Sequence, residues 1–286
     1  MMEVILARMG INEKPRAATQ FLSEEDGTPY NVWKLEFADR ELVLKEAKGL
    51  ELETYQAYFG GSCNYAPEFY ASANVDGKDY LLLEYISGET MSQCTREKLL
   101  LTLDSLIAMQ RTHWESDESA GFSYEKALAG RIDRGEYLSN PLLKAAYAQF
   151  LRAFETVPRT LCHDDLLPFN VIIDPHRAVF IDWEYGGILP YPVSLARLIA
   201  HGEALDGALF YMTDTDRAFA LDYYYENFIR MLNIDRQTYD RTMLLFVFYE
   251  YCEWVYLGEK YPDADQIRYQ SYLQKATKLA KTILDG

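Results

Sequence analysis

The hydrophobic pattern changes period along the chain, and the changes mark out the elements. From Val32 to Phe37 apolar and polar residues alternate, Ala38-Asp39-Arg40 reads as a turn, and Glu41-Leu42-Val43-Leu44-Lys45 resumes as a strand. A hairpin ending in lysine is predicted. The spacing then becomes helical, with Leu50, Tyr55 and Phe59 among charged and small residues, and Gly60-Gly61 closes the run. Two further strands, 69–73 and 80–86, are joined around Asp76-Gly77-Lys78. Beyond them helical spacing dominates: 96–114 carries Leu99, Leu100, Leu103, Leu106 and Ile107, and 139–154, 193–202, 216–232 and 237–257 read as helices. One stretch breaks that pattern. Val171-Ile172-Ile173 and Val179-Phe180-Ile181 flank Asp174-Pro175-His176-Arg177, a turn by composition, so a second hairpin is predicted inside the helical part.

Strands concentrated at the front and helices behind indicate an α+β chain. At 286 residues it exceeds the usual size of a single core, so two lobes with a cleft are expected, divided near 84–89. The four cysteines are scattered without C-x-x-C pairs, which argues against a disulfide framework and a zinc site and fits a reducing cytoplasm. Positions 1–10 lack the pattern of a signal peptide, and no apolar run approaches membrane-spanning length. A cytoplasmic, soluble protein is expected. The formal charge of −16 would repel nucleic acid and anionic membrane, so neither is expected as a partner.

The second hairpin changes the picture because of what surrounds it. Folding it back brings Asp182, after the second strand, beside Asn170, before the first, with Asp165 just upstream. Phosphoryl transfer is mostly positioning and charge neutralisation, and a carboxylate with an amide oxygen suits the hard cation Mg2+. A kinase catalytic loop places Asp five positions before Asn and a later metal-binding Asp. His163-Asp164-Asp165-Leu166-Leu167-Pro168-Phe169-Asn170 keeps that spacing, and Asp182-Trp183-Glu184 follows where the metal-binding Asp belongs. His163 is assigned to scaffolding. Lys45, at the end of the first hairpin, is the matching candidate for a phosphate-contacting lysine.

These segments, HDDLLPFN followed by IDWEY, resemble the aminoglycoside phosphotransferase and choline kinase branch of the protein-kinase-like superfamily. The resemblance implies a two-lobe fold: a nucleotide-binding lobe over 1–86, with a small antiparallel sheet, one helix and a terminal hinge, and a helical lobe over 87–286 carrying the catalytic hairpin. It implies ATP and Mg2+ as cofactors, with Asp165 catalytic and Asn170 and Asp182 holding the metal. Lys45 would meet the phosphates, Glu51 would fix Lys45 with Glu53 as the alternative, and backbone at Glu84 and Ile86 would bind adenine. Asn31 would close a phosphate-covering loop over 24–31 that keeps only Gly27.

The pattern departs from the family in two places. Asp164 stands where Gly or Asn is usual, a substitution that tolerance of positive φ would explain. Ser194, in Ser194-Leu195-Ala196, replaces a usual acid, and Glu184 is a candidate to compensate or to add a metal ligand. Two functions follow. One is an ATP- and Mg2+-dependent small-molecule kinase acting on a hydroxyl of an aminoglycoside, choline, a related amino alcohol or another metabolite alcohol. The other is a catalytically weak pseudokinase serving as a nucleotide- or partner-binding module. A protein kinase is disfavoured because no A-P-E motif follows Asp182. For a cationic acceptor, Tyr223 to Tyr225, Tyr249, Tyr251, Trp254 and Tyr256 offer rings beside Glu250 and Glu253, although most are expected in the core. An aminoglycoside would need several acids instead, and Asp206, Asp214, Asp216, Glu226 and Glu250 are candidate suppliers, none of them distinctive.

Overall fold

The computed structural model describes residues 1–23, 27–61, 63–116, 120–201, 210–261 and 265–286. Five antiparallel strands, β1 (Ala17–Leu22), β2 (Pro29–Glu36), β3 (Glu41–Glu46), β4 (Phe69–Val75) and β5 (Lys78–Glu84), pair in the order β1-β2-β3-β5-β4. The predicted first hairpin is β2–β3, with Val32 opposite Lys45. Central strands β3 and β5 read as nearly continuous apolar runs because both faces are covered. Leu42, Leu44, Tyr80 and Leu82 pack outward against Ile5 and Leu6 of a short helix, α1 (Met2–Arg8), while Leu81 and Leu83 join the larger core. The first lobe thus holds two helices where one was expected. The second, α2 (Glu51–Tyr58), buries Glu51, Tyr55 and Tyr58 and leaves Glu53 exposed.

The larger lobe begins with β6 (Glu89–Thr90), which pairs with the second predicted hairpin, β8 (Val171–Ile173) and β9 (Ala178–Phe180), in the order β6-β8-β9. Gly88 permits this approach: a Cβ there would lie 2.2 Å from the Ile173 carbonyl oxygen. β7 (Arg159–His163) pairs antiparallel with β10 (Gly186–Pro190), so strands flank the loop bearing Asp165 and Asn170 on both sides. Around them lie α3 (Arg96–Thr112), α4 (Tyr124–Tyr137), α5 (Pro141–Thr156), α6 (Pro192–Ala200), α7 (Asp214–Asn227), α8 (Arg236–Lys260) and α9 (Gln266–Asp285). Side chains of Thr95, Ser123, Asn140, Thr213, Asp235 and Asp265 cap six of these helices, each accepting from a backbone N–H of the first turn.

α4 and α9 are additions to the helices predicted from spacing. α4 contains Gly130 and Gly135 and buries only Ala127 and Arg131, so its apolar stripe is faint. α9 buries Tyr272, Ala276, Ala280 and Ile283, a stripe made half of alanine. Among the described residues no helix is long and apolar enough to cross a membrane.

Candidate active site

Lys45 reaches from the inner face of β3 to two carboxylates. Its Nζ lies 2.6 Å from Glu51 Oε1 and 2.5 Å from Asp182 Oδ1, joining β3, α2 and the segment after the catalytic hairpin. Glu51 is wholly buried and also accepts from the Trp183 backbone N–H at 3.3 Å, so it, and not Glu53, partners the lysine. Burial opposes charge on Lys45, yet Glu51 and Asp182 outweigh it and raise its pKa. Burial likewise works against the Asp182 carboxylate, and Lys45 reverses the balance, holding it below its ordinary value.

Asp182 itself sits in the left-handed region, φ 66°. Asp is among the few residues with a side chain that tolerate this conformation. Asp164 does not adopt the positive φ that would have explained it: among the described residues the non-glycine positions that do are Asp76, Glu115, Asp182 and Asn233. Asp164 is accommodated differently: its largely buried carboxylate pairs with Arg131 Nη2 at 2.5 Å. Arg131 lies between the rings of Phe154 and Tyr249, at 4.6 and 4.7 Å.

The loop between β7 and β8 is wired through His163 and Asn170. The buried His163 donates from Nε2 to the Ile181 carbonyl at 2.8 Å and accepts at Nδ1 from the Asp165 N–H at 3.3 Å, the tautomer following from these partners. Burial pushes its pKa down, so it is a neutral scaffold as assigned. Asn170 donates to the Asp165 carbonyl at 2.8 Å and its own carbonyl accepts from Ile181 at 3.0 Å. That bond continues the hairpin pairing past Val171 and Phe180, so Asn170 and Asp182 both lie at its open end. At the other end Asp174 accepts from the N–H groups of His176 and Arg177 at 2.7 and 3.0 Å.

Ser194, in the place of the usual acid, is buried, and its hydroxyl accepts from the His163 backbone N–H at 2.9 Å. Glu184, half-buried and raised in pKa first by burial and then by Asp182, lies against Gly49. Of the two hinge candidates, Glu84 ends β5, pairing with Leu42 across the sheet while its carboxylate meets Arg177 Nη2 at 2.7 Å, and Ile86, two residues on, is buried. A cavity of about 390 Å³ opens beside them, lined in part by Ser87, Gly88, Ile173 and Asp174. Asn31 is not brought to the lysine. It lies within β2 one position from Val32, so it shares the opposite face with Glu46, to which its amide donates at 2.9 Å. Of the loop it was to close, 24–26 lie outside the described residues, and Gly27 turns with φ 70°.

Two arginines that sequence reasoning did not single out complete the site. Arg131 is one. The other, Arg197 of α6, donates from Nε and Nη2 to Asp165 Oδ1 at 3.1 and 2.8 Å. Its Nη1 donates to Glu250 and Glu253 at 2.9 Å each. Their only sequence signal is helical spacing: Arg197 stands three positions after Ser194.

The acceptor candidates are largely committed elsewhere. Tyr224, Phe246, Phe248 and Tyr249 are core. Trp254 stacks on Tyr272 and carries Arg268 at 4.7 Å, and Tyr251 carries Lys275 at 5.4 Å, so these rings already face the protein's own cations. Asp216 pairs with Arg96, Asp214 with Arg217 and Glu226 with Arg230. Asp206 lies outside the described residues.

Asp182 and Asn170 would offer a carboxylate and an amide oxygen, donor types that suit Mg2+, which takes one or two protein ligands and completes its shell with phosphate and water. No group of three or more His, Cys, Asp or Glu side chains suited to a metal is gathered among the described residues.

A small antiparallel sheet whose lysine is paired to a helix glutamate, above a helical lobe with an Asp-x4-Asn loop and a following Asp, defines a kinase-like phosphotransferase. The phosphotransferase enzyme family matches residues 55–226, more than half of the chain, and the chain belongs to that family. Protein LicA of Haemophilus influenzae is 32% identical over 73 residues, a match covering 26% of this chain and 27% of LicA. An aminoglycoside phosphotransferase from Alicyclobacillus acidocaldarius superimposes with a TM-score of 0.59 at 12% identity, over 99% of this chain and 95% of that one. A choline/ethanolamine kinase family protein from Mesorhizobium loti gives 0.60 at 14% identity, over 99% and 92%. At these identities the likeness is one of fold.

Proposed function

We propose that this chain is an ATP- and Mg2+-dependent kinase that transfers the γ-phosphoryl group to a hydroxyl of a small acceptor, of the aminoglycoside, choline or related amino alcohol kind. The observation that carries this reading is the meeting of Lys45, Glu51 and Asp182, with Lys45 and Asp182 137 residues apart in sequence. Lys45 would move onto the α- and β-phosphates while Glu51 keeps it charged and aimed. Backbone groups at Glu84 and Ile86 would bind adenine. Asp182 and Asn170 would hold Mg2+, which when bound neutralises charge on the phosphate oxygens. Asp165, with 30% of its side chain exposed, would take the acceptor's proton as the new O–P bond forms and the bond to the departing ADP breaks. The names of the two structural relatives support a hydroxyl acceptor. For a cationic acceptor the support is the net charge of −16.

The test is an ATP-consumption screen over amino alcohols, aminoglycosides and sugars with Asp165→Asn as the blank. Acceptor-dependent turnover in the parent and none in the variant is expected, with nucleotide binding preserved in both. Equal turnover in the two proteins refutes the assignment of Asp165.

A further inference from the structure

Arg197 is placed to decide which oxygen of Asp165 does the chemistry. Both Nε and Nη2 donate to Oδ1, at 3.1 and 2.8 Å, whereas Oδ2 receives only a 3.4 Å approach from Asn170 Nδ2 among the described contacts. A contact that long is weak. Oδ1 is therefore committed and Oδ2 is left to accept a proton. Only a guanidinium directs two donors at one oxygen and a third group elsewhere in a fixed plane; an ammonium is a point charge on a flexible stem.

The guanidinium is in turn held from behind by α8. Nη1 donates to Glu250 Oε2 and Glu253 Oε2, both at 2.9 Å. Glu250 Oε2 also meets His201 Nε2 at 2.9 Å, while Glu253 Oε1 accepts from Tyr249 at 2.6 Å and pairs with Arg134 at 3.3 Å. The orientation of Asp165 is thus transmitted from α8 through a single side chain. We infer that Arg197 is a positioning residue for phosphoryl transfer, turning Asp165 so that Oδ2 faces the acceptor hydroxyl, with Glu250 and Glu253 as its anchors. This rests on the kinase reading in taking Asp165 as the proton acceptor.

Arg197→Lys tests it in the full chain, because lysine keeps a cation for Glu250 and Glu253 but loses the paired donors. With the best acceptor of the screen, kcat should fall roughly 10²-fold, the cost of a misplaced reacting group. KM for ATP should stay within about twofold, since nucleotide binding does not involve this contact. In Arg197→Ala, added guanidinium should restore part of kcat and methylammonium should not. A crystal structure of Arg197→Ala, or of Arg197→Ala/Glu250→Gln if the single variant does not fold, should show the Asp165 carboxylate turned from its present plane. Unchanged kcat in Arg197→Lys, rescue by both cations alike, or an unmoved carboxylate overturns the inference. A parent protein that turns over no acceptor, with the carboxylate still displaced in the variant, would count against the kinase reading alone.

Discussion

Replacing Asp164 with the asparagine more usual at this place in the family should weaken the protein. Arg131 is 2% exposed, its Nε has no hydrogen-bond partner among the described residues, and its Nη2 depends on Asp164 at 2.5 Å. Breaking a buried pair by removing one charge costs about 3–5 kcal/mol. The asparagine oxygen still accepts a hydrogen bond, returning about 1 kcal/mol. A loss of about 2–4 kcal/mol remains, a large part of the roughly 5–15 kcal/mol that holds a typical domain together. Burial pushes Asp164 above its ordinary pKa even with Arg131 beside it, while Asp164 raises Arg131 against its own burial, so each ion depends on the other. Removing both charges in Arg131→Met/Asp164→Asn should therefore come within about 1 kcal/mol of the parent. Urea unfolding followed by tryptophan fluorescence would read this as a lowered midpoint at unchanged slope for the single variant and recovery for the double. A single variant as stable as the parent, or a double variant no better than the single, would refute the reasoning.

Glu51→Gln should raise KM for ATP about tenfold, equivalent to about 1.4 kcal/mol, as Lys45 is left with Asp182 alone; an unchanged value in a nucleotide titration would exclude Glu51 from aiming the lysine. Ser194→Ala leaves the buried His163 N–H without its acceptor and should cost about 1–3 kcal/mol in the same unfolding assay. Burial raises Glu250 from its ordinary 4.5 to about 7. In that window the folded chain holds a proton that the unfolded chain has released, so the stability this group contributes is full below 4.5 and lost as pH rises through 7. Glu250→Gln should flatten the fall of the urea midpoint between about pH 5 and about pH 8, and an identical slope in parent and variant would dismiss the proton.

The residues whose spacing is local were readable from the chain alone. Asp165 and Asn170 lie in one loop and Asp182 follows a short hairpin, so a turn-rich segment between two β-branched runs was enough to bring them together. Lys45 was marked by the end of a hairpin, and helix periodicity left Glu51 as the better of two candidates. What the sequence concealed was carried by tertiary contact. Arg197 and Arg131 meet Asp165 and Asp164 only because α6 and α4 pack beside the loop, and an arginine within a helix ordinarily reads as solvated surface. Asn31 failed to reach the lysine for a reason of parity: one step along a strand turns a side chain to the other face. The departures at Asp164 and Ser194 looked like losses because the residues that absorb them, Arg131 and the His163 backbone, are 33 and 31 positions away.

Helix α2 bears Glu51, yet its apolar side belongs to the larger core: Tyr55, Tyr58 and Phe59 are buried there, and Thr54 bonds the Gly186 carbonyl of β10 at 3.2 Å. Swinging this helix outward to disengage Lys45 would expose three aromatic side chains, at roughly 1.5–3 kcal/mol each. Such a rotation is therefore a poor off-switch for this molecule. The Lys45–Glu51 pair is thus held together by the packing of the larger core, and the smaller lobe is tied to the larger one through the helix that carries Glu51.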